Sequence, residues 1–139
     1  MDLSIVIPEF NEAGKIAHDV EAAGKFLDDQ GFSGELLVVD DGSSDESADV
    51  AESTPVPDGV EKRVIRCPAN QGKGHAVRTG MLQTRGDVIM FADAGLCIPF
   101  DNALQGMALI RQDGFDIAHG SRRLPDSVIT RPKSLYRRI

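Results

Sequence analysis

The sequence lacks any apolar stretch approaching the roughly 20 residues that a membrane-spanning helix requires, so no segment of it is expected to cross a bilayer. Met1-Asp2-Leu3-Ser4 runs straight into a strand-like segment, with neither a basic leader nor a small-residue cleavage site. A cytoplasmic location is the resulting expectation. Cysteine is scarce. Cys67 and Cys97 have no CxxC spacing and no histidine at ligand spacing, which points away from a cysteine-based zinc class and toward reduced, buried thiols. His18, His75 and His119 likewise share no metal-ligand spacing and read as ordinary surface or partly buried side chains. Internal repeats and low-complexity segments are also missing.

Positive charge is scarce over most of the chain. The formal net charge is -7, yet from Gly120 onward Arg122, Arg123, Arg131, Lys133, Arg137 and Arg138 face the single acid Asp126. An acidic body of this kind repels phosphate backbones, so nucleic-acid binding is not expected. The basic tail suits an anionic partner, although a plain solvated surface segment is the more common reason for such a run.

At 139 residues with 41% hydrophobic and 27% charged residues, the chain has the make-up of one globular domain, taken as residues 1–139. Short β-rich runs alternate with helical patterns, the signature of βαβ units and a mostly parallel α/β sheet with helices on both faces. Leu3 to Ile7 reads as a first strand closed by Pro8. Asn11 is placed to cap a helix whose apolar face is Ile16, Val20, Ala23 and Leu27, with Gly31 as its stop. Glu35 to Val39 is the second strand, and Ser43 to Glu46 has capping-box spacing for the next helix. A third strand is expected over Lys62 to Arg66, a helix after Gly72-Lys73-Gly74-His75, and a fourth strand over Val88 to Ala92. Asp101 is placed to cap a last helix ended by Gly114, followed by a short strand from Asp116 to His119, then a loop and a weak helix.

Chemistry concentrates at two strand ends. Leu36-Leu37-Val38-Val39 stops at Asp40-Asp41-Gly42-Ser43-Ser44-Asp45, and Val88-Ile89-Met90-Phe91-Ala92 stops at Asp93-Ala94-Gly95. Carboxylates there face the crevice in which open α/β sheets bind ligands, which suggests a polar, nucleotide-sized ligand. Capping of a helix accounts for Ser43 and Asp45, but not for the acidic pair before a glycine. Gly72-Lys73-Gly74, with Arg78 one turn on, offers backbone and positive charge to a phosphate, although it lacks Walker spacing and a third glycine. Asp93 suits a divalent cation, since Mg²⁺ typically takes one or two carboxylates together with substrate phosphates.

Taken in order, Ser4-Ile5-Val6-Ile7-Pro8-Glu9-Phe10-Asn11-Glu12, Val38 to Asp45, Asn70-Gln71-Gly72-Lys73-Gly74 with Ala76-Val77-Arg78, Phe91-Ala92-Asp93-Ala94 and Gly120-Ser121-Arg122 resemble family 2 glycosyltransferases. The resemblance runs from Leu3 to Arg138 and is nearest to the polyprenyl-phosphate branch, the dolichyl-phosphate glucosyltransferase and mannosyltransferase type, continued in Ser134-Leu135-Tyr136-Arg137-Arg138. It implies a Rossmann-like GT-A fold, truncated at its C-terminal side, and inverting transfer of a hexose from a nucleotide diphosphate sugar to a polyprenyl phosphate. UDP-glucose is the favoured donor, with GDP-mannose next. The implied donor-site residues are Pro8, Glu9, Glu12, Asp40, Asp41, Lys73 and Arg78. Asp93 matches the first acid of the family's DxD metal motif, with Mg²⁺ or Mn²⁺ as the implied cofactor. Arg122 matches the arginine of the GSR motif, and Arg137 an arginine that meets phosphate. The resemblance also implies peripheral contact of the basic tail with the cytoplasmic face of a membrane. Gly95 departs from the pattern by replacing the second DxD acid, and Cys97 replaces a polar residue two positions on. A non-catalytic nucleotide-sugar-binding module is the alternative reading. A receiver-like signalling domain ranks last, because no lysine ends a late strand.

Overall fold

The computed structural model describes residues 1–95 and 99–121. Two compact units divide the chain, Met1–Ala103 and Leu104–Ile139. The first holds β1 (Leu3–Glu9), α1 (Ile16–Asp29), β2 (Gly34–Asp40), α2 (Ser47–Ser53), β3 (Val60–Arg66), α3 (Lys73–Met81) and β4 (Val88–Phe91). Its four strands run in the order β3-β2-β1-β4, every pairing parallel. This is half of a doubly wound fold. The order reverses between β1 and β4, which opens a crevice at their carboxyl ends.

Alternation along the strands assigns the core to two faces. Leu3, Ile5 and Ile7 of β1 align with Gly34, Leu36 and Val38 of β2, and Leu27 of α1 lies directly over Gly34. The opposite face carries Val6, Leu37 and Val39, which pack with Ala76 of α3 and with Cys67. Gly80 lets α3 come down onto this face, since a Cβ there would stand 2.5 Å from Val6 Cγ1. Every residue of β1 and β2 is buried, as strands covered on both faces require. Truncating one of these leucines would cost about 2–5 kcal/mol.

The helices sit on both faces of the sheet as the sequence predicts, and three details of this unit differ. β1 continues through Pro8 to Glu9. In this register Pro8 turns its missing N–H toward β4, and that ladder has already ended, Ala92 N–H on Val6 O being its last bond, so no sheet donor is lost. Asn11 does not cap α1. The helix begins at Ile16 after Lys15, while Asn11 adopts φ +53° and bonds the loop after β2. The Ser43–Glu46 capping box does not form either, because α2 starts only at Ser47 and the Ser43 hydroxyl is taken by Asn11 N–H. Gly31, at φ +64°, stops α1 as expected.

The second unit contains most of α4 (Asn102–Arg111), with Gly114 at φ +74° beyond it. The expected strand over Asp116 to His119 is absent. These residues are irregular and Ile117 is 81% exposed, since no strand among the described residues of this unit is available to pair with them. The weak helix expected after Gly120 falls outside the described residues, as does Cys97.

Candidate functional site

Three strand ends build the crest of the sheet. Glu9 closes β1 opposite Asp40, which closes β2, so both carboxyls lie on the face covered by α1. Asp41, one residue on, turns toward α3. It accepts hydrogen bonds from Gln71 N–H (3.1 Å) and Gly72 N–H (2.7 Å), one on each oxygen. The acidic loop and the glycine loop are thereby one unit. Gly42 seals it, having φ +74° and a position where a Cβ would lie 2.6 Å from the Ala69 carbonyl carbon, so only glycine fits.

The loop after β2 also fastens the loop after β1. Asn11 N–H donates to the Ser43 hydroxyl (2.9 Å), Ser44 N–H to Asn11 Oδ1 (2.9 Å), Glu12 N–H to the Ser47 hydroxyl (2.8 Å) and Ala13 N–H to Asp45 (3.3 Å). Asp40 accepts Ser43 N–H at 2.9 Å. These bonds satisfy backbone donors that a helix cap would otherwise serve, and they fix the floor of the site.

On the β4 side, Lys73 at the start of α3 pairs with Asp93, its ammonium standing 5.6 Å from the centre of the Phe91 ring. Gly95 takes φ +97°, and its N–H donates to both carboxylate oxygens of Asp19, at 2.8 and 3.0 Å. Asp19 is buried in α1, so the loop that carries Asp93 is tied to that helix. A cleft of about 320 Å³ results, lined among others by Pro8, Glu9, Glu12, Asp41, Lys73 and Asp93.

Glu9 is the unusual group of this cleft. It is 3% exposed, and among the described residues neither carboxylate oxygen has a hydrogen-bond partner. The nearby Ser47 hydroxyl donates to Asp45 instead. Burial first, and then the Asp40 charge, push the Glu9 carboxyl up to about 7. A carboxyl that exchanges its proton near neutrality, without a protein partner, is equipped to meet a polar ligand.

The structure therefore brings six of the sequence-predicted residues to one cleft. Asp40 is buried at the crest, and Arg78 is exposed on α3; neither lines the cleft. Arg122 and Arg137 lie outside the described residues. The Asp93 carboxylate is half-exposed and paired with Lys73, an exposure that a single-carboxylate cation site shared with phosphate oxygens would require. Sequence reasoning missed Asp19, although an acid between Ile16 and Val20 on an apolar helix face was a visible signal. It also missed that Asp41, Cys67 and His75 converge, their ligand atoms all within 4.8 Å of one another.

Residues 4–138 match the family model described as Glycosyl transferase family 2. The chain is 34% identical to the dolichyl-phosphate beta-glucosyltransferase of Drosophila melanogaster over its whole length, which spans 46% of that protein. It is 39% identical to the human dolichyl-phosphate beta-glucosyltransferase over 66% of its length and 30% of the relative's. The chain thus spans less than half the length of these relatives. Among solved structures, mannosyl-3-phosphoglycerate synthase from Rubrobacter xylanophilus aligns with a TM-score of 0.56 at 26% identity, covering 68% of this chain and 30% of that one. Glucosyl-3-phosphoglycerate synthase from Mycobacterium tuberculosis, solved with Mg²⁺ and uridine-diphosphate, aligns at 0.53 and 27%, covering 67% and 33%.

Proposed function

From its membership of glycosyl transferase family 2, to which this chain belongs, we propose that it forms the donor-binding part of an inverting hexosyltransferase that uses a nucleotide diphosphate sugar and a polyprenyl phosphate. The observation that carries this reading is the cleft at the β1/β4 reversal, where acids from two strand ends stand across from Lys73 and Asp93. Glu9 and Asp41 offer acceptors to the N–H and O–H groups of a base and ribose. Lys73 and the N–H groups at the start of α3 offer positive potential to the diphosphate.

A polyprenyl phosphate is already ionised at neutral pH, so its oxygen attacks the anomeric carbon without a strong general base. Catalysis then rests on holding the two substrates in line and on neutralising the departing diphosphate. Lys73 exchanges Asp93 for a diphosphate oxygen. Asp93 would then hold Mg²⁺ or Mn²⁺, which when bound would supply further charge neutralisation to the leaving group. Arg122 and Arg137 are proposed to meet the acceptor phosphate, and the basic segment after Gly120 an anionic membrane face on the cytoplasmic side.

UDP-glucose is the favoured donor, with GDP-mannose next, and the glucosyltransferase names of the relatives support glucose. A second reading, a nucleotide-sugar-binding module without catalysis, is favoured by Gly95, whose left-handed backbone disfavours the acid expected there. Calorimetric titration with UDP-glucose and GDP-mannose, in Mn²⁺ or in chelator, on wild type and Asp93→Asn, tests the proposal. Binding of one donor that requires both metal and Asp93 is expected. Absence of binding by either donor under every condition would overturn it.

A further inference from the structure

Asp41, Cys67 and His75 come from three places in the chain: the residue after β2, the residue after β3 and the first turn of α3. Cys67 is a free thiol, 8% exposed, at the edge of the core cluster, its N–H held by Asp40 O at 2.8 Å. His75 turns a buried Nδ1 inward. That atom has no hydrogen-bond partner among the described residues, Asp41 Oδ1 standing 3.9 Å away, although the side chain itself is 35% exposed. Asp41 uses one lone pair of each oxygen on the glycine loop and keeps others. If these groups served packing alone, the histidine would turn its inner nitrogen to a donor or to solvent.

We propose that Asp41, Cys67 and His75 form a binding site for a borderline-soft divalent cation of the Zn²⁺ type, separate from the oxygen-based site at Asp93. One sulfur, one imidazole nitrogen and one carboxylate oxygen make a three-residue set that leaves a fourth tetrahedral position open. Such donors select zinc over magnesium, whereas Asp93 and phosphate oxygens select the hard ions. The ligand atoms lie within 4.8 Å of one another, at most roughly an ångström beyond a closed tetrahedral shell, a gap that a turn of the partly exposed His75 ring can close. Binding replaces the Cys67 S–H bond by a sulfur–metal bond and releases that proton to solvent. Burial and the charges of Asp41 and Asp40 hold the thiol protonated without a cation, and a bound dication reverses the electrostatic part. The result is a clip that pins α3 and the glycine loop to the ends of β2 and β3. It depends on Cys67 and His75, which the donor reading does not use.

The test is titration of the full chain with Co²⁺, followed by displacement with Zn²⁺. A single equivalent giving the near-ultraviolet thiolate-to-cobalt band is expected, removed by Zn²⁺ but not by excess Mg²⁺. Cys67→Ala should abolish the band. His75→Ala, which removes a side chain that is 35% exposed, should weaken Co²⁺ affinity at least about tenfold. Zn²⁺ should also raise the melting temperature of wild type and leave that of Cys67→Ala unchanged. No band in wild type, or an undiminished band in Cys67→Ala, would overturn the proposal. Failure to bind nucleotide sugars would overturn the donor reading alone.

Discussion

Glu35 and Glu9 are both buried in the two central strands of one sheet, yet their carboxyls are treated in opposite ways. Glu35 stands near the amino end of β2, where Ser4, Arg63, Arg85 and the Arg85 backbone N–H bring donors to its two oxygens. Burial raises its pKa, but these bonds outweigh burial and hold the carboxyl at about 2. Glu9 closes β1 at the other end with no hydrogen-bond partner on either oxygen among the described residues, and sits at about 7. Burial is common to both, so the difference lies in the donors that reach Glu35 and in the Asp40 charge that faces Glu9. One end of the sheet is locked by a satisfied ion cluster, and the other keeps polar groups unsatisfied where a ligand is expected.

Glu35→Gln breaks the locked end and should have the largest effect, a loss of about 3 kcal/mol in urea denaturation at pH 7, because Arg63 and Arg85 lose their shared counter-charge. The sign with pH is fixed by the lowered pKa. The stability that Glu35 contributes is present above its ordinary value of 4.5 and lost as pH falls toward about 2. The variant should therefore lose that acid limb. Glu9→Gln tests the open end and should act in the opposite direction. A raised folded pKa means that Glu9 favours folding below 4.5 and that this contribution is lost as pH rises through about 7. The amide mimics the protonated acid, so the variant should gain on the order of 2 kcal/mol at pH 8 and almost nothing at pH 4. Weaker donor binding should accompany that gain. A variant no more stable at pH 8 than wild type would show that Glu9 is already compensated.

The same contrast explains what was legible in the sequence. Strands and their parallel pairing follow from apolar runs such as Leu36 to Val39, which only a sheet covered on both faces can bury. The acids at Asp40, Asp41 and Asp93 announced a polar site because they interrupt those runs. What stayed hidden are contacts set by tertiary register: Asn11 reaching across to Ser44 instead of capping, Asp19 holding Gly95 from 76 residues away, and Cys67 meeting His75. Residue spacing within one element carries no information about a partner on another. The Ser43–Glu46 box misled for the same reason, since a serine hydroxyl serves whichever N–H the fold delivers to it.

Lys73→Met should change stability least and is the sharpest comparison with the Glu35 cluster. Lys73 and Asp93 also form an ion pair, but their side chains are 55% and 50% exposed, against 1% for Glu35. Water and salt screen such a pair, and methionine keeps the aliphatic stem beside Phe91, so the loss in urea denaturation should stay within about 0.5 kcal/mol and shrink further in high salt. Donor affinity, in contrast, should fall clearly, and its salt dependence should flatten, because the positive charge facing the diphosphate is gone. A stability loss above about 1 kcal/mol that persisted in high salt would mean that the pair closes its end of the sheet structurally, as Glu35 does, and would remove Lys73 from the groups held ready for a ligand.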